Sequence, residues 1–218
     1  VVFGGPRTYH RLTCGIEDAG WEIRNSLMWL FGSGFPKSLN LHGEWDGWGT
    51  ALKPGYEPIV LARKPLRGTV AANVAEYGTG ALNINACRAK LIHKEPHEGG
   101  RWPANIILDE EAAALLDAEV GERAGSHDQQ ASVSSNGWFG PASYNGSGYK
   151  DSGGPSRFFY TSKASRAERE AGLHDLEPVR RSDGRRKDIE NPRLRTSQRK
   201  NHHPTVKPLD LMRWLCRL

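Results

Sequence analysis

The chain has 218 residues and a mass of 24.2 kDa, enough for one large domain or two small ones, and 37% hydrophobic residues against 25% charged ones give it a soluble, globular composition. No run approaches the roughly 18–20 consecutive apolar residues of a membrane span, and the amino terminus carries no signal-peptide pattern. Cys14, Cys87 and Cys216 are too few and too scattered for a disulfide framework or a four-ligand zinc site, so reduced thiols in a cytoplasm, with no membrane partner, are expected.

The net charge of +5 hides an asymmetry. Residues 157–218 carry 16 Lys/Arg against 8 Asp/Glu, or +8, whereas residues 1–156 carry 14 against 17, or −3. Two readings fit the basic part: a surface for a polyanion, or a solvated charged loop.

In chain order, Val1-Val2-Phe3 reads as the end of an apolar strand, turned by Gly4-Gly5-Pro6. Residues 7–19 follow as a helix with Leu12, Ile16 and Ala19 on one face, and Gly20 stops it. Trp21, Ile23, Leu27, Trp29 and Phe31 then alternate as a strand, interrupted at Asn25. Strand–helix–strand is the unit of a parallel α/β sheet. After a Gly/Trp-rich loop, residues 57–63 predict a short buried strand. Ile106-Ile107-Leu108 predicts another, with Asp109 capping a helix from Glu110 to Val120.

Residues 124–156 change character: seven Gly and eight Ser among 33 residues do not predict a packed core. Trp138, Phe139, Tyr144 and Tyr149 within it suit stacking on extruded bases, although a flexible insertion is the plainer reading. Arg157-Phe158-Phe159-Tyr160 predicts a return to the sheet, and Ser165 to Ala171 a short polar helix. Residues 180–200 hold nine Lys/Arg against three acids, expected in a loop. Pro208 then opens a helix with Leu211, Leu215 and Leu218 in one stripe and Leu209, Met212 and Cys216 beside it.

Several patterns suggest chemistry that the residues around them do not sustain. Phe31-Gly32-Ser33-Gly34-Phe35 and Tyr77-Gly78-Thr79-Gly80 are glycine-rich, but a cofactor loop joins a strand to a helix, and Gly32 and Gly34 lead into another loop. Both are expected to be structural turns. His10 with Cys14, and the pair His202-His203, lack a second pair or a carboxylate cluster, so no metal site is expected.

His203-Pro204-Thr205-Val206-Lys207-Pro208, placed before an apolar helix, resembles a motif of the DNA N-4/N-6 amino-methyltransferases of bacteria and phages. Phe3-Gly4-Gly5-Pro6-Arg7-Thr8-Tyr9-His10-Arg11-Leu12 and Gly32-Ser33-Gly34-Phe35-Pro36-Lys37-Ser38 resemble other segments of that family, in the same order. So do Trp48-Gly49-Thr50-Ala51-Leu52-Lys53-Pro54 with Glu57-Pro58, and Phe158-Phe159-Tyr160 with Lys163-Ala164-Ser165. The family's Asp-Pro-Pro-Tyr tetrapeptide and its Phe-x-Gly-x-Gly turn do not occur in these 218 residues. In the family order they would precede Val1 and follow Leu218, so the chain is expected to be an internal fragment, inactive alone and with no catalytic residue of its own.

The resemblance implies an incomplete Rossmann-like α/β core that binds S-adenosylmethionine (AdoMet), with an inserted target-recognition region. Residues 1–65 would be part of the core. Residues 66–200 would be the target-recognition region with flexible Gly/Ser-rich and basic loops, and residues 201–218 the start of the AdoMet-binding part. The implied reaction is site-specific: it methylates the exocyclic amine of adenine (N6) or cytosine (N4) in DNA, with the base flipped out of the duplex.

Thr205, Lys207 and Pro208 are the expected cofactor contacts: a hydroxyl, a positive charge and a helix start suit the methionyl carboxylate. The plainer reading of the same residues is a shaped helix start with a solvated lysine. Arg180, Arg181, Arg185, Arg186, Lys187, Arg199 and Lys200 are the expected contacts to the phosphates of double-stranded DNA. A restriction partner is an open question. The alternative is a non-catalytic DNA-binding remnant or accessory module.

Overall fold

The computed structural model describes residues 1–34, 38–89, 100–124, 151–179, 200–201 and 206–218. The aromatic cluster at Trp138 to Tyr149, the pair His202-His203, Thr205 and the run from Arg180 to Arg199 lie outside the described residues. The chain divides into two compact units, residues 1–161 with 217–218, and residues 162–216.

The first unit is built on a five-stranded mixed sheet. β1 (Val2–Phe3) leads into α1 (Tyr9–Asp18), then β2 (Glu22–Leu30) and β3 (Tyr56–Arg63). α1 ends where the periodicity predicts: Gly20, at φ +83°, donates its N–H to the Glu17 carbonyl. In β2, Leu27 and Trp29 are buried while Met28 is exposed, the alternation of a strand with one face in the core. The irregularity predicted at Asn25 is a register shift: Ile23 pairs with Ala62 and Asn25 with Leu61, leaving Arg24 as the extra residue.

The parallel strand–helix–strand unit requires a correction. β1 and β2 run in the same direction but are not neighbours, because β3 lies between them and is antiparallel to both. Physically, Pro58, Ile59 and Val60 bring the return strand enough apolar surface to be buried on both faces, a position only the middle of a sheet offers. A proline is unusual in a central strand. Here the Pro58 carbonyl accepts the Gly4 N–H at 2.9 Å, so its nitrogen faces the side where β1 has already ended at Phe3.

β4 (Ile106–Leu108) extends the sheet in parallel beside β2, and β7 (Tyr160–Thr161) lies parallel beside β4. Two strands of this sheet therefore come from the stretch between residues 66 and 200. α2 (Val70–Tyr77) and α3 (Glu110–Val120) precede and follow β4. The Asp109 cap of α3 forms as predicted, its carboxylate accepting the Ala112 N–H at 2.7 Å.

Arg157 and Phe158 do not enter the sheet as predicted. They belong to a 3-10 turn at residues 155–158, and the strand is confined to Tyr160–Thr161. The cause is a buried charge cluster. Asp151 has both oxygens on Arg101, at 2.5 and 2.6 Å, and Arg157 Nε is 3.3 Å away. The Phe158 ring lies 4.5 Å from each guanidinium carbon. Arg157 also donates to the Gly153, Gly154 and Arg123 carbonyls, which ties it to both strands of the pair β5 (Arg123–Ala124) and β6 (Ser152–Gly153). An arginine committed to that many partners fixes the turn, and an extended backbone there would forfeit them.

In the second unit, α4 (Arg166–Glu170) and α5 (Leu209–Arg217) are the described helices. Leu211, Trp214 and Leu215 are buried, whereas Leu209 is 53% exposed, so the apolar face of α5 is narrower than predicted and includes a tryptophan. No helix among the described residues is long and apolar enough to cross a membrane.

The Asp151 cluster is the interaction whose loss is costly. Asp151→Ala leaves two buried guanidiniums without their carboxylate and should destabilise the chain by about 3–5 kcal/mol. Glu22→Ala, which removes the half-exposed partner of Arg63, should cost about 1 kcal/mol or less. Urea unfolding of both variants checks the ranking, and equal midpoints would contradict it.

Candidate functional site

The residues before α5 are organised by a carboxylate that the cofactor prediction did not include. Ser165 caps α4: its hydroxyl accepts the Glu168 N–H at 3.1 Å, and Glu168 Oε2 accepts the Ser165 N–H at 3.3 Å. This is a reciprocal capping box. The other oxygen, Glu168 Oε1, accepts the N–H of Leu209, the first residue of α5. One side chain thus serves the starts of two helices. Ser165-x-x-Glu168 has the spacing of a capping box, but the bond to Leu209 spans 41 residues and has no local signature.

Pro208 is fully buried ahead of the helix, and its carbonyl accepts the Met212 N–H at 3.0 Å. It has no N–H to leave unpaired and its fixed φ suits a helix entry. Lys207, half-buried, precedes it. Asp210 stands in the first turn of α5, where a negative charge complements the helix dipole, and Arg213 pairs with it at 3.2 Å. Of the expected cofactor contacts, Lys207 and Pro208 therefore stand at the start of α5, and Thr205 lies outside the described residues.

Of the expected DNA contacts, Lys200 alone is described. Its ammonium donates to the His174 carbonyl at 3.0 Å and its backbone N–H to Glu170 Oε1 at 3.3 Å. Asn201 beside it donates to the Arg169 carbonyl at 2.6 Å. These bonds anchor Lys200 and Asn201 to the region of α4. Arg180, Arg181, Arg185, Arg186, Lys187 and Arg199 lie outside the described residues.

In open α/β sheets, ligands gather at the carboxyl ends of parallel strands. There, Asp109 is buried and joins β2 to α3: its N–H donates to the Leu30 carbonyl at 2.8 Å, and Oδ1 accepts the Gly32 N–H at 3.2 Å. Lys53 Nζ donates to the Gly32 carbonyl at 3.2 Å. A Cβ at Gly32 would lie 2.8 Å from Glu111 Cγ and 3.1 Å from the Ala112 nitrogen, so glycine is needed for β2 to pass this close to α3. The Gly32 segment is thus a packed turn. In the second glycine-rich segment, Gly78 closes α2 as a left-handed cap.

Cys14 and Cys216 are exposed, and Cys87 is buried. Burial pushes the Cys87 thiol up from its ordinary value, opposed in part by the charge of Arg217, so it is poorly suited to act as a nucleophile. Among the described residues, no group of three or more His, Cys, Asp or Glu is placed to hold a metal ion.

No family model matches the chain, and no solved structure matches it. Among curated proteins, the chain is similar to the Type II methyltransferase M.HindIII of Haemophilus influenzae, with 26% identity over 121 residues. That alignment covers 49% of this chain and 38% of the relative, so the chain spans well under half the length of the protein it matches. The described fold is mixed α/β, and about half of the chain resembles a type II methyltransferase.

Proposed function

We propose that the chain is part of a site-specific DNA amino-methyltransferase, which transfers a methyl group from AdoMet to the exocyclic amine of adenine or cytosine. The similarity to a type II methyltransferase carries this reading, together with the ordered segments from Phe3 to Pro208 that resemble the amino-methyltransferases. On this reading residues 1–65 belong to a Rossmann-like catalytic core and residues 201–218 begin its AdoMet-binding part. Residues 66–200 form the target-recognition region, while lending β4 and β7 to the shared sheet.

The start of α5 suits the methionyl end of AdoMet. Glu168 places a carboxylate on the Leu209 N–H, so an anionic oxygen already stands at the helix start, which supports this reading. Thr205, Lys207 and the backbone at Pro208 would hold the cofactor carboxylate, with Glu168 giving up its bond to Leu209. AdoMet supplies an electrophilic methyl carried on a sulfonium. Lys207 contributes positive charge beside the carboxylate, and Pro208 holds the helix entry rigid. The basic run from Arg180 to Lys200 would set affinity for duplex DNA through its phosphates, leaving sequence choice to other residues of the region.

Two measurements test the assignment. In the product of the complete reading frame, Thr205→Ala and Lys207→Ala should each weaken AdoMet binding by about 10- to 150-fold, the worth of one charge-assisted contact, and leave duplex affinity nearly unchanged. Calorimetry giving unchanged AdoMet affinity in both would return the segment to a shaped helix start. Replacing Arg185, Arg186 and Lys187 together by Ala should lower the slope of log affinity against log salt by up to about 2.7, at about 0.9 per phosphate contact. Parallel salt titrations of parent and triple variant would reject these residues as phosphate contacts.

A further inference from the structure

A concave feature of the first unit lies where β2 begins, at the opposite end of that strand from Leu30, Gly32 and Asp109. Eight residue steps at the strand rise separate Glu22 from Leu30, roughly 25 Å. The cavity has a volume of about 650 Å³, within the range of small-molecule sites. Trp21, Lys64, Arg67 and Tyr77 line it, with Arg63 and Asn73 in its walls.

Its walls are built and not incidental. Asn73 is buried, and its amide joins two loops: Oδ1 accepts the Arg67 N–H at 3.2 Å and Nδ2 donates to the Thr79 carbonyl at 2.8 Å. Gly80 sits at φ +105°, where a Cβ would lie 2.7 Å from Leu66 Cδ2 and 3.0 Å from Asn73 Nδ2, so the loops close on each other only with glycine there. Arg63 is spent on structure. It donates to Glu22 at 2.6 and 3.2 Å and to the Gly80 carbonyl at 3.1 Å.

Lys64 and Arg67 are different. Both are exposed, and among the described residues neither pairs with a carboxylate. Each faces an aromatic residue instead: Lys64 Nζ lies 5.8 Å from the Trp21 ring centroid, and Arg67 donates to the Tyr77 hydroxyl at 3.3 Å. Trp21 and Tyr77 are themselves 41% and 46% exposed, so a ligand reaches their rings. Two cations without a carboxylate partner among the described residues, beside two accessible rings, match the chemistry of an anion that carries a flat aromatic group. A bare oxyanion would leave most of the volume and both rings unused.

We propose that this cavity binds a nucleotide unit, with its phosphate on Lys64 and Arg67 and its base against Trp21 or Tyr77. The proposal goes beyond the methyltransferase reading and stands without it. The same chemistry has two sources, a free nucleotide or one residue of a nucleic-acid strand.

Calorimetric titration of the 218-residue chain with adenosine 5′-monophosphate, adenosine, inorganic phosphate and a single-stranded oligodeoxynucleotide tests it. The monophosphate should bind more tightly than adenosine or phosphate. The double variant Lys64→Ala, Arg67→Ala should weaken that binding ten-fold or more, and Trp21→Ala should weaken the monophosphate but not phosphate. If Trp21→Ala fails to fold, as judged by circular dichroism, Tyr77→Ala takes its place. An oligonucleotide that binds more tightly than the monophosphate, with the same dependence on Lys64 and Arg67, assigns the site to a strand; the reverse order assigns it to a free nucleotide. The proposal is overturned if neither binds, if the double variant binds as the parent does, or if phosphate alone binds as tightly as the monophosphate.

Discussion

The first unit depends on the burial of β3. Pro58, Ile59 and Val60 have essentially no exposed surface, and the strand pairs antiparallel with β1 on one side and β2 on the other. β1 is only two residues long and α1 buries no residue fully, so the amino-terminal part holds to the rest chiefly through this strand. Burying one large aliphatic side chain contributes about 1.5–3 kcal/mol. Two consecutive buried β-branched residues, facing opposite sides, anchor both layers at once.

Its neighbour β2, the middle strand of the five, runs between two chemically distinct ends of the sheet. At the end of β2, Asp109 and Lys53 hold the Gly32 segment against α3 through hydrogen bonds to its N–H and carbonyl. At its start, Arg63 is tied to Glu22 and Gly80, but the neighbouring Lys64 and Arg67 keep their charge for solvent or a ligand. Charge is satisfied where the sheet is packed and left available where the surface is concave. In the Asp151 cluster a single carboxylate between two guanidiniums holds the 3-10 turn that leads into β7.

Much of the local structure was legible because its determinants are local. Asp109 before Glu110 and Glu111 announced α3, and Ser165 announced α4. The alternation in β2, with its break at Asn25, survived intact as a strand with a register shift. α2 was missed although Thr69 caps it and Gly78 ends it; its periodicity is blurred by small alanines, and its one buried residue is the polar Asn73. The position of β3 between β1 and β2 was not legible, since pairing order depends on which strands can bury both faces. Arg157-Phe158 read as a strand because apolar and aromatic content suggests one; the buried Asp151 that overrides it arrives from six residues upstream. For the candidate site, the motif pointed to Lys207 and Pro208 at a helix start, where they stand. The hold of Glu168 on Leu209, the placement of Lys64 over the Trp21 ring and the bond of Arg67 to the Tyr77 hydroxyl are tertiary facts that no local pattern encodes.

The central functional claim is that this chain belongs to an enzyme that methylates exocyclic amines of DNA bases. The direct measurement is to incubate the product of the complete reading frame with methyl-labelled AdoMet and duplex DNA, then to separate the nucleosides after digestion. The account predicts label in N6-methyladenine or N4-methylcytosine. Label in 5-methylcytosine, or no label from a folded protein that binds the duplex, would contradict it.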